Sequence, residues 1–82
     1  MKLTDTTNNR KYRVIKILTD GDIRRRILDI GITKGAIIER LFESPLGEPI
    51  AFQIRGGVMA LRDEVTDKIE VVEVGDSYGA DA

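Results

Sequence analysis

Apolar and polar residues alternate along much of this chain with the period of a β-strand. The clearest stretch begins at Ile50, where Ile50, Phe52 and Ile54 fall on one face of the predicted strand and the residues between them on the other. Four more segments are rich in β-branched or aliphatic residues, and each predicts a strand: residues 11–18, 36–43, 58–61 and 69–74. The pattern therefore predicts five short strands.

One segment has a helical period instead. Isoleucines recur at helical spacing from Ile23 to Ile30, directly after Asp20–Asp22, whose side chains can accept hydrogen bonds from the free amides of a helix start. Gly31 stands where a left-handed residue ends many helices. We therefore expect one short helix after the first strand. The polar segment 62–68 is long enough for one helical turn before the last strand.

Proline and glycine mark the reversals between strands. Pro45 and Pro49 bracket a turn and remove two backbone donors, so this segment predicts a hairpin turn, and Gly56-Gly57 permits a second reversal. The expected fold is mainly β: a small, closed or partly closed barrel, a form that reduces exposed sheet edges. We expect three parts in the chain: a flexible tail at 1–10, a single domain at 11–75 and a second flexible tail at 76–82.

Composition excludes several classes of protein. The 82 residues suffice for one core, and 41% hydrophobic content is too high for a disordered chain. The longest apolar run, Val58 to Leu61, is far too short for a membrane span or an export signal. A net charge of −1 disfavours nucleic-acid binding, and the absence of cysteine suits the reducing cytosol. We therefore expect a cytoplasmic protein without direct membrane insertion.

The residues needed for catalysis or cofactor binding are missing. The chain has no histidine and no cysteine, so its serines lack a base and a metal would have oxygen ligands only. Gly56-Gly57 lacks the spacing and the following lysine of a phosphate-binding loop. The acidic clusters, at Asp20–Asp22 and within 63–67, lack the spacing of a calcium loop and are better explained by helix capping and solvation. We expect no enzyme activity, no cofactor and no dedicated metal site.

A series of short motifs resembles a known family. Residues 26–32 (RILDIGI), followed by Gly35, place a hydrophobic-Gly-hydrophobic step before a second glycine, and residues 45–50 (PLGEPI) form a proline-bracketed turn. Three further short motifs follow along the chain, at residues 55–56 (RG), 60–62 (ALR) and 69–71 (IEV). From about residue 12 to 74, this order and spacing is similar to FeoA, the accessory protein of ferrous iron transport. Two positions depart from the family pattern: Lys34, where proline is common, and Val65, where alanine is usual.

The resemblance implies a fold and a partner. It implies an SH3-like barrel that contacts the cytoplasmic region of FeoB, a membrane GTPase permease, at the inner face of the membrane, as a regulator or assembly factor. The alternative is the SH3-like domain of DtxR-type metal-dependent transcriptional regulators. The lack of histidine and of a helix-turn-helix weighs against that alternative. Whether FeoB is activated or inhibited, and the oligomeric state, stay open.

Two surface features are candidate contacts with FeoB. The run Arg24-Arg25-Arg26 offers guanidinium groups that bind oxyanions bidentately, although a solvated helix face explains it as well. Leu46 stands at the tip of the bracketed turn beside Glu48, as an exposed apolar anchor on a turn that also fixes hairpin register. The predicted partner-binding residues are Arg24, Arg25, Arg26, Leu46 and Glu48.

Overall fold

The computed structural model describes residues 1–74. In chain order, the elements are a 3-10 turn at Leu3–Asp5, β1 at Arg10–Ile17, α1 at Gly21–Asp29, β2 at Ile37–Glu43, β3 at Ile50–Ile54, β4 at Gly57–Leu61, α2 at Asp63–Thr66 and β5 at Ile69–Val74. Each predicted strand is present, with ends that differ by about one residue. The mainly β prediction is confirmed. The predicted tail at 76–82 lies outside the described residues.

The five strands form one antiparallel sheet in the order β4-β3-β2-β1-β5. The pairing register shifts between Val14 and Lys16 in β1 and between Arg40 and Phe42 in β2. Because such bulges bend a strand and increase its twist, the sheet curls into a partly closed barrel. The edge strands are β4 and β5, and the four-residue α2 connects them.

The helix α1 ends as its sequence predicts but begins differently. At its C-terminus, the amide of Ile32 donates to the carbonyl of Ile27 at 3.2 Å and that of Gly31 to Leu28 at 3.0 Å, with Gly31 at φ +94°. This pair of bonds is a Schellman motif, which requires the left-handed residue that glycine supplies. Asp20 stands at the N-cap position, but its side chain makes no capping hydrogen bond. The expected acidic cap is therefore wrong.

Inward-facing side chains of all five strands meet the helix residues in one core. The core side chains are aliphatic or aromatic and closely packed. On the strands, they are the residues that the period-two pattern places on one face of the sheet. The core comprises Leu3, Tyr12, Val14, Ile27, Ile32, Ile38, Ile50, Phe52, Ile54, Leu61, Val65, Ile69 and Val71.

The N-terminal segment is part of the folded domain, so the expected flexible tail at 1–10 is wrong. Leu3 is fully buried in the core, and Arg10 already belongs to β1. The amino group of Met1 donates to a carboxylate oxygen of Glu70 at 2.8 Å, and Val71 donates its amide to the carbonyl of Met1 at 2.7 Å. A single buried leucine and long-range hydrogen bonds offset the ordering entropy, and neither shows in the local sequence pattern.

Arg40 of β2 also binds the N-terminal segment, through hydrogen bonds from its side chain. Its side chain is buried, with 5% of its surface exposed, although it lies on a strand whose other inward residue is Ile38. Its guanidinium donates to the carbonyls of Thr4 at 3.1 Å and Thr6 at 2.7 Å, and to the side-chain oxygen of Asn8 at 2.8 Å. Its remaining nitrogen donates to the carboxylate of Glu43, so burial of this charge is tolerated because neutral acceptors and one carboxylate satisfy its donors.

Candidate partner-binding surfaces

The three arginines of α1 are exposed, but they do not share one face. Consecutive helix positions differ by about 100° in direction, so a run of three spreads around the helix. Arg24 lies on the side that faces β1, one turn before Leu28, whereas Ile27 faces the core. The structure therefore separates Arg24 from the two arginines that follow it.

Arg24 borders a shallow groove between α1 and β1. The walls combine three cationic side chains with three aliphatic ones, and carboxylates are absent from them. The lining residues are Ile15, Lys16, Ile17, Arg24, Leu28 and Lys34. We call this surface the basic groove.

The β1 bulge shapes the floor of the basic groove. The register shift lies at Ile15, so Ile15 and Lys16 are both exposed, although neighbours on a regular strand point to opposite faces. Ile15 is 37% exposed and Leu28 is 39% exposed, so an apolar strip runs between the cations. Within residues 1–74, none of the ion pairs involves Lys16, Arg24 or Lys34. Their charges are therefore available to an external acidic group.

The proline-bracketed turn forms a second exposed feature. It spans Ser44 to Pro49, is closed by a hydrogen bond from the amide of Gly47 to the carbonyl of Ser44 at 2.8 Å, and places Leu46 at its tip. Leu46 is 91% exposed, the highest fraction among the large apolar side chains of the described chain. This exposure agrees with the expected geometry of the turn. Its role as a contact remains a prediction.

Glu48 has a partner inside the protein. Its carboxylate accepts a hydrogen bond from the amide of Asp63 at 2.9 Å, at the first residue of α2. The bond satisfies an amide that would otherwise lack an acceptor and ties the turn to the start of the helix. Glu48 therefore contributes to the structure, and its predicted contact with a partner protein remains a prediction.

The two predicted contact regions lie at opposite ends of the sheet. Lys34 of the basic groove precedes the start of β2 at Ile37, whereas the turn with Leu46 follows its end at Glu43. A strand of seven residues is about 20 Å long. The arginine run and Leu46 therefore do not form one site. Sequence reasoning missed Lys16 and Lys34 because only the fold brings them beside Arg24.

Several acidic side chains surround Asp63, the first residue of α2. One carboxylate oxygen of Asp63 is buried without a hydrogen-bond partner. Burial raises the pKa of Asp63 above its ordinary value of 3.8, and the negative charges of Glu48, Asp67 and Glu43 raise it further. Within residues 1–74, no group of three or more acidic side chains is arranged to hold a metal ion.

The raised pKa of Asp63 predicts a pH-dependent loss of stability. The folded protein binds this proton more tightly than the unfolded chain, so stability falls as pH rises from 3.8 through the folded-state pKa. We expect Asp63→Asn to increase the urea midpoint relative to wild type near pH 7, with the difference vanishing below about pH 3. The control is Glu64→Gln, which removes the same charge from an exposed residue next to Asp63. Parallel pH profiles for all three proteins would contradict the assignment.

In the part of the chain that the structure describes, no helix is long and apolar enough to cross a membrane.

Comparison with known proteins gives a family and a fold. The model of the FeoA domain family matches residues 1–73. The FeoA-like protein from Clostridium acetobutylicum is similar over 93% of this chain and 88% of that one, with 32% identity and a TM-score of 0.86. The iron(II) transport protein A from Clostridium thermocellum is 30% identical over 90% of this chain, with a TM-score of 0.87. This chain spans 46% of the length of that protein. Comparison with curated proteins found no significant match.

More distant structures share the fold alone. The zinc-complexed FeoA of Stenotrophomonas maltophilia, described as an SH3 domain protein, is 24% identical over 88% of this chain and 89% of that one, with a TM-score of 0.76. The zinc-bound repressor ScaR is 15% identical over 90% of this chain and 37% of that one, with a TM-score of 0.81. The expected SH3-like fold is thus confirmed, and it is shared with regulator domains of the alternative class. The match of a family model to nearly the whole chain decides between them: the chain belongs to the FeoA family.

Proposed function

We propose that this chain is a cytoplasmic, non-enzymatic accessory module that binds the cytoplasmic region of FeoB and alters its activity or assembly at the inner face of the membrane. Family membership supports the connection with ferrous iron transport. The relative from Stenotrophomonas maltophilia is described as a candidate activating factor for that transport. A module without catalytic groups acts through contact, so its exposed surfaces carry the function.

The basic groove is the observation that carries this proposal. Lys16, Arg24 and Lys34 surround an apolar strip, and none of them is in an ion pair within the described chain. Such a surface suits an acidic segment that also presents apolar side chains, because cations orient the segment and apolar contact holds it. We place the FeoB contact here, with Arg25 and Arg26 extending the cationic surface around α1.

Leu46 serves as a separate contact at the far end of the sheet. Its apolar side chain is almost fully exposed, and it stands on a turn whose backbone is hydrogen-bonded internally. Binding therefore orders few additional groups, which limits the entropic cost. A single short segment of FeoB cannot reach both Leu46 and the basic groove, so the two contacts can be tested independently.

Charge reversal in the basic groove is expected to weaken capture of FeoB. A barrel of this size offers about 800 Å² or less to a partner, so binding depends on a few anchors and on charge. In pull-downs of detergent-solubilised FeoB, Arg24→Glu and Lys34→Glu should each reduce affinity by about tenfold or more, and high ionic strength should reproduce the loss. Leu46→Ala should weaken capture without salt dependence.

The matched control is Lys11→Glu, which makes the same charge change on an exposed residue at the other end of β1. Thermal melts of every variant check that the fold is intact. Equal capture by wild type and both groove variants would remove the basic groove from the proposal. Failure of the wild type to capture FeoB in any nucleotide state would remove the direct partnership itself.

A further inference from the structure

One edge of the sheet is blocked by the chain itself. Along β5, Val71 exchanges hydrogen bonds with Met1, because its amide donates at 2.7 Å and its carbonyl accepts at 2.9 Å. Lys2 forms a β-bridge with Glu70, and Glu73 adds a second charge to the strand. Proteins commonly protect sheet edges by such covering and by charge, since a free edge is a template for pairing with another chain.

Among residues 1–74, the other edge has neither protection. In this part of the chain, β4 pairs with β3 alone. Its five residues, Gly57 to Leu61, include no charge and no proline, and Val58 is 61% exposed. An uncharged, exposed edge strand is a template for pairing with another chain, whereas the β5 edge is covered and charged.

The hairpin register shows which backbone groups of β4 are free. Ile54 and Gly57 flank a two-residue turn, so they form a hydrogen-bonded pair, and the pairs Phe52/Met59 and Ile50/Leu61 follow by alternation. The amide and carbonyl groups of the intervening residues, Val58 and Ala60, point away from β3. They are the groups that an additional strand would meet.

We propose that β4 pairs antiparallel with β4 of a second copy of this chain, about a two-fold axis at Met59. In this register, Val58 of one copy lies opposite Ala60 of the other, and the pair exchanges both backbone hydrogen bonds. The two-fold axis generates a second, identical pair, so the free backbone groups of Val58 and Ala60 in both copies form hydrogen bonds. A register shifted by one residue would place Val58 opposite a residue whose backbone already bonds to β3.

Charge and side-chain pattern both favour a second copy as the occupant. The register brings Arg55, in the β3–β4 turn, opposite the start of α2 in the other copy, where Asp63 and Glu64 are acidic. The axis makes this contact twice, and no like charges face each other between Gly57 and Leu61. On the outer face, the cross-strand row Phe42, Ala51, Ala60 continues into Val58 of the second copy.

We expect the dimer to be weak because its interface is small. One pair of short strands buries less area than a standard interface, so we expect a dissociation constant of several hundred micromolar. In sedimentation equilibrium from about 10 µM to about 1 mM, the average mass should rise from the monomer's 9.1 kDa towards twice that value. Over the same range, amide exchange at Val58 and Ala60 should slow, while that of Met59, already bonded to β3, stays constant.

Variants test the register. Val58→Lys adds a charge to the edge and Ala60→Pro removes one of its free donors, so each should raise the dissociation constant by at least about tenfold. Arg55→Glu should also weaken the dimer, and Glu64→Arg in the same chain should restore it. The matched control is Val72→Lys, the same change at a 41% exposed valine on β5, which should leave the dimer unchanged.

Three results would overturn the proposal. The first is a monomer at the highest concentration with no change at the β4 amides. The second is a dimer that tolerates both Val58→Lys and Ala60→Pro with melts showing folded protein. The third is equal loss of the dimer in Val72→Lys, which would place the interface elsewhere on the sheet.

Discussion

Arg40→Met is expected to lower the free energy of unfolding by about 2–5 kcal/mol, because it leaves one buried and one partly buried carbonyl without a donor and breaks the ion pair with Glu43. The carbonyls of Thr4 and Thr6 both receive hydrogen bonds from the Arg40 guanidinium, at 3.1 and 2.7 Å. Methionine fills similar space but donates nothing. A loss of this size is a large part of the roughly 4–12 kcal/mol expected for a chain of this length.

Urea unfolding followed by circular dichroism measures the effect, since the chain has no tryptophan for fluorescence. Arg25→Met is the matched control, because Arg25 is exposed on α1 and its loss should change stability by less than about 0.5 kcal/mol. Arg40→Lys should fall between the two, because an ammonium keeps the charge but not the fork of donors. If Arg40→Met and Arg25→Met unfold at the same urea concentration, Arg40 does not hold the N-terminal segment.

Leu3→Ala should destabilise the protein by about 2–5 kcal/mol, as expected for removing a fully buried leucine. Leu3 is 0% exposed and belongs to the core, although it lies near the N-terminus. The loss combines the transfer free energy of the missing methyl groups with the cavity that remains. A flexible tail at 1–10 would make the same substitution neutral, so the measurement separates the two descriptions directly.

Leu46→Ala provides a control with identical chemistry. Leu46 is 91% exposed, so the same substitution should change stability by less than about 0.5 kcal/mol. Equal urea midpoints for Leu3→Ala and Leu46→Ala would contradict the packing of the N-terminal segment. A wild-type midpoint for Leu46→Ala also makes this variant suitable for the pull-down, because its fold is then known to be intact.

The basic groove shows how far sequence reasoning about the candidate site extends. The run Arg24-Arg25-Arg26 is visible as a cationic cluster, but its division around α1 depends on which helix face packs inward. Lys16 joins Arg24 through the bulge in β1, and Lys34 joins it through the loop that follows α1. The proximity of these three side chains depends on tertiary packing and on the register shift in β1. Neither can be read from the local sequence.

The strands, the turns and α1 followed from the sequence because their causes are local. Period-two alternation from Ile50 to Ile54, the proline bracket and the left-handed Gly31 each act within a few residues. The fold class was therefore predictable from pattern alone, and the resemblance to FeoA supplied the family.

Tertiary structure decided the parts whose partners are distant along the chain. In the sequence, Leu3 is a lone leucine in a polar stretch and Arg40 is a single charge in a strand. Arg40 and Thr4 are 36 residues apart, and only the fold brings the Arg40 guanidinium within hydrogen-bond reach of the Thr4 carbonyl. The same holds for the two sheet edges, since only the strand order shows that Met1 and Lys2 cover β5, while no strand within residues 1–74 covers β4. Sequence determined which segments form strands and helices, because backbone conformation is set by near neighbours. Structure determined what each surface meets, because burial and pairing depend on contacts that only the completed fold creates.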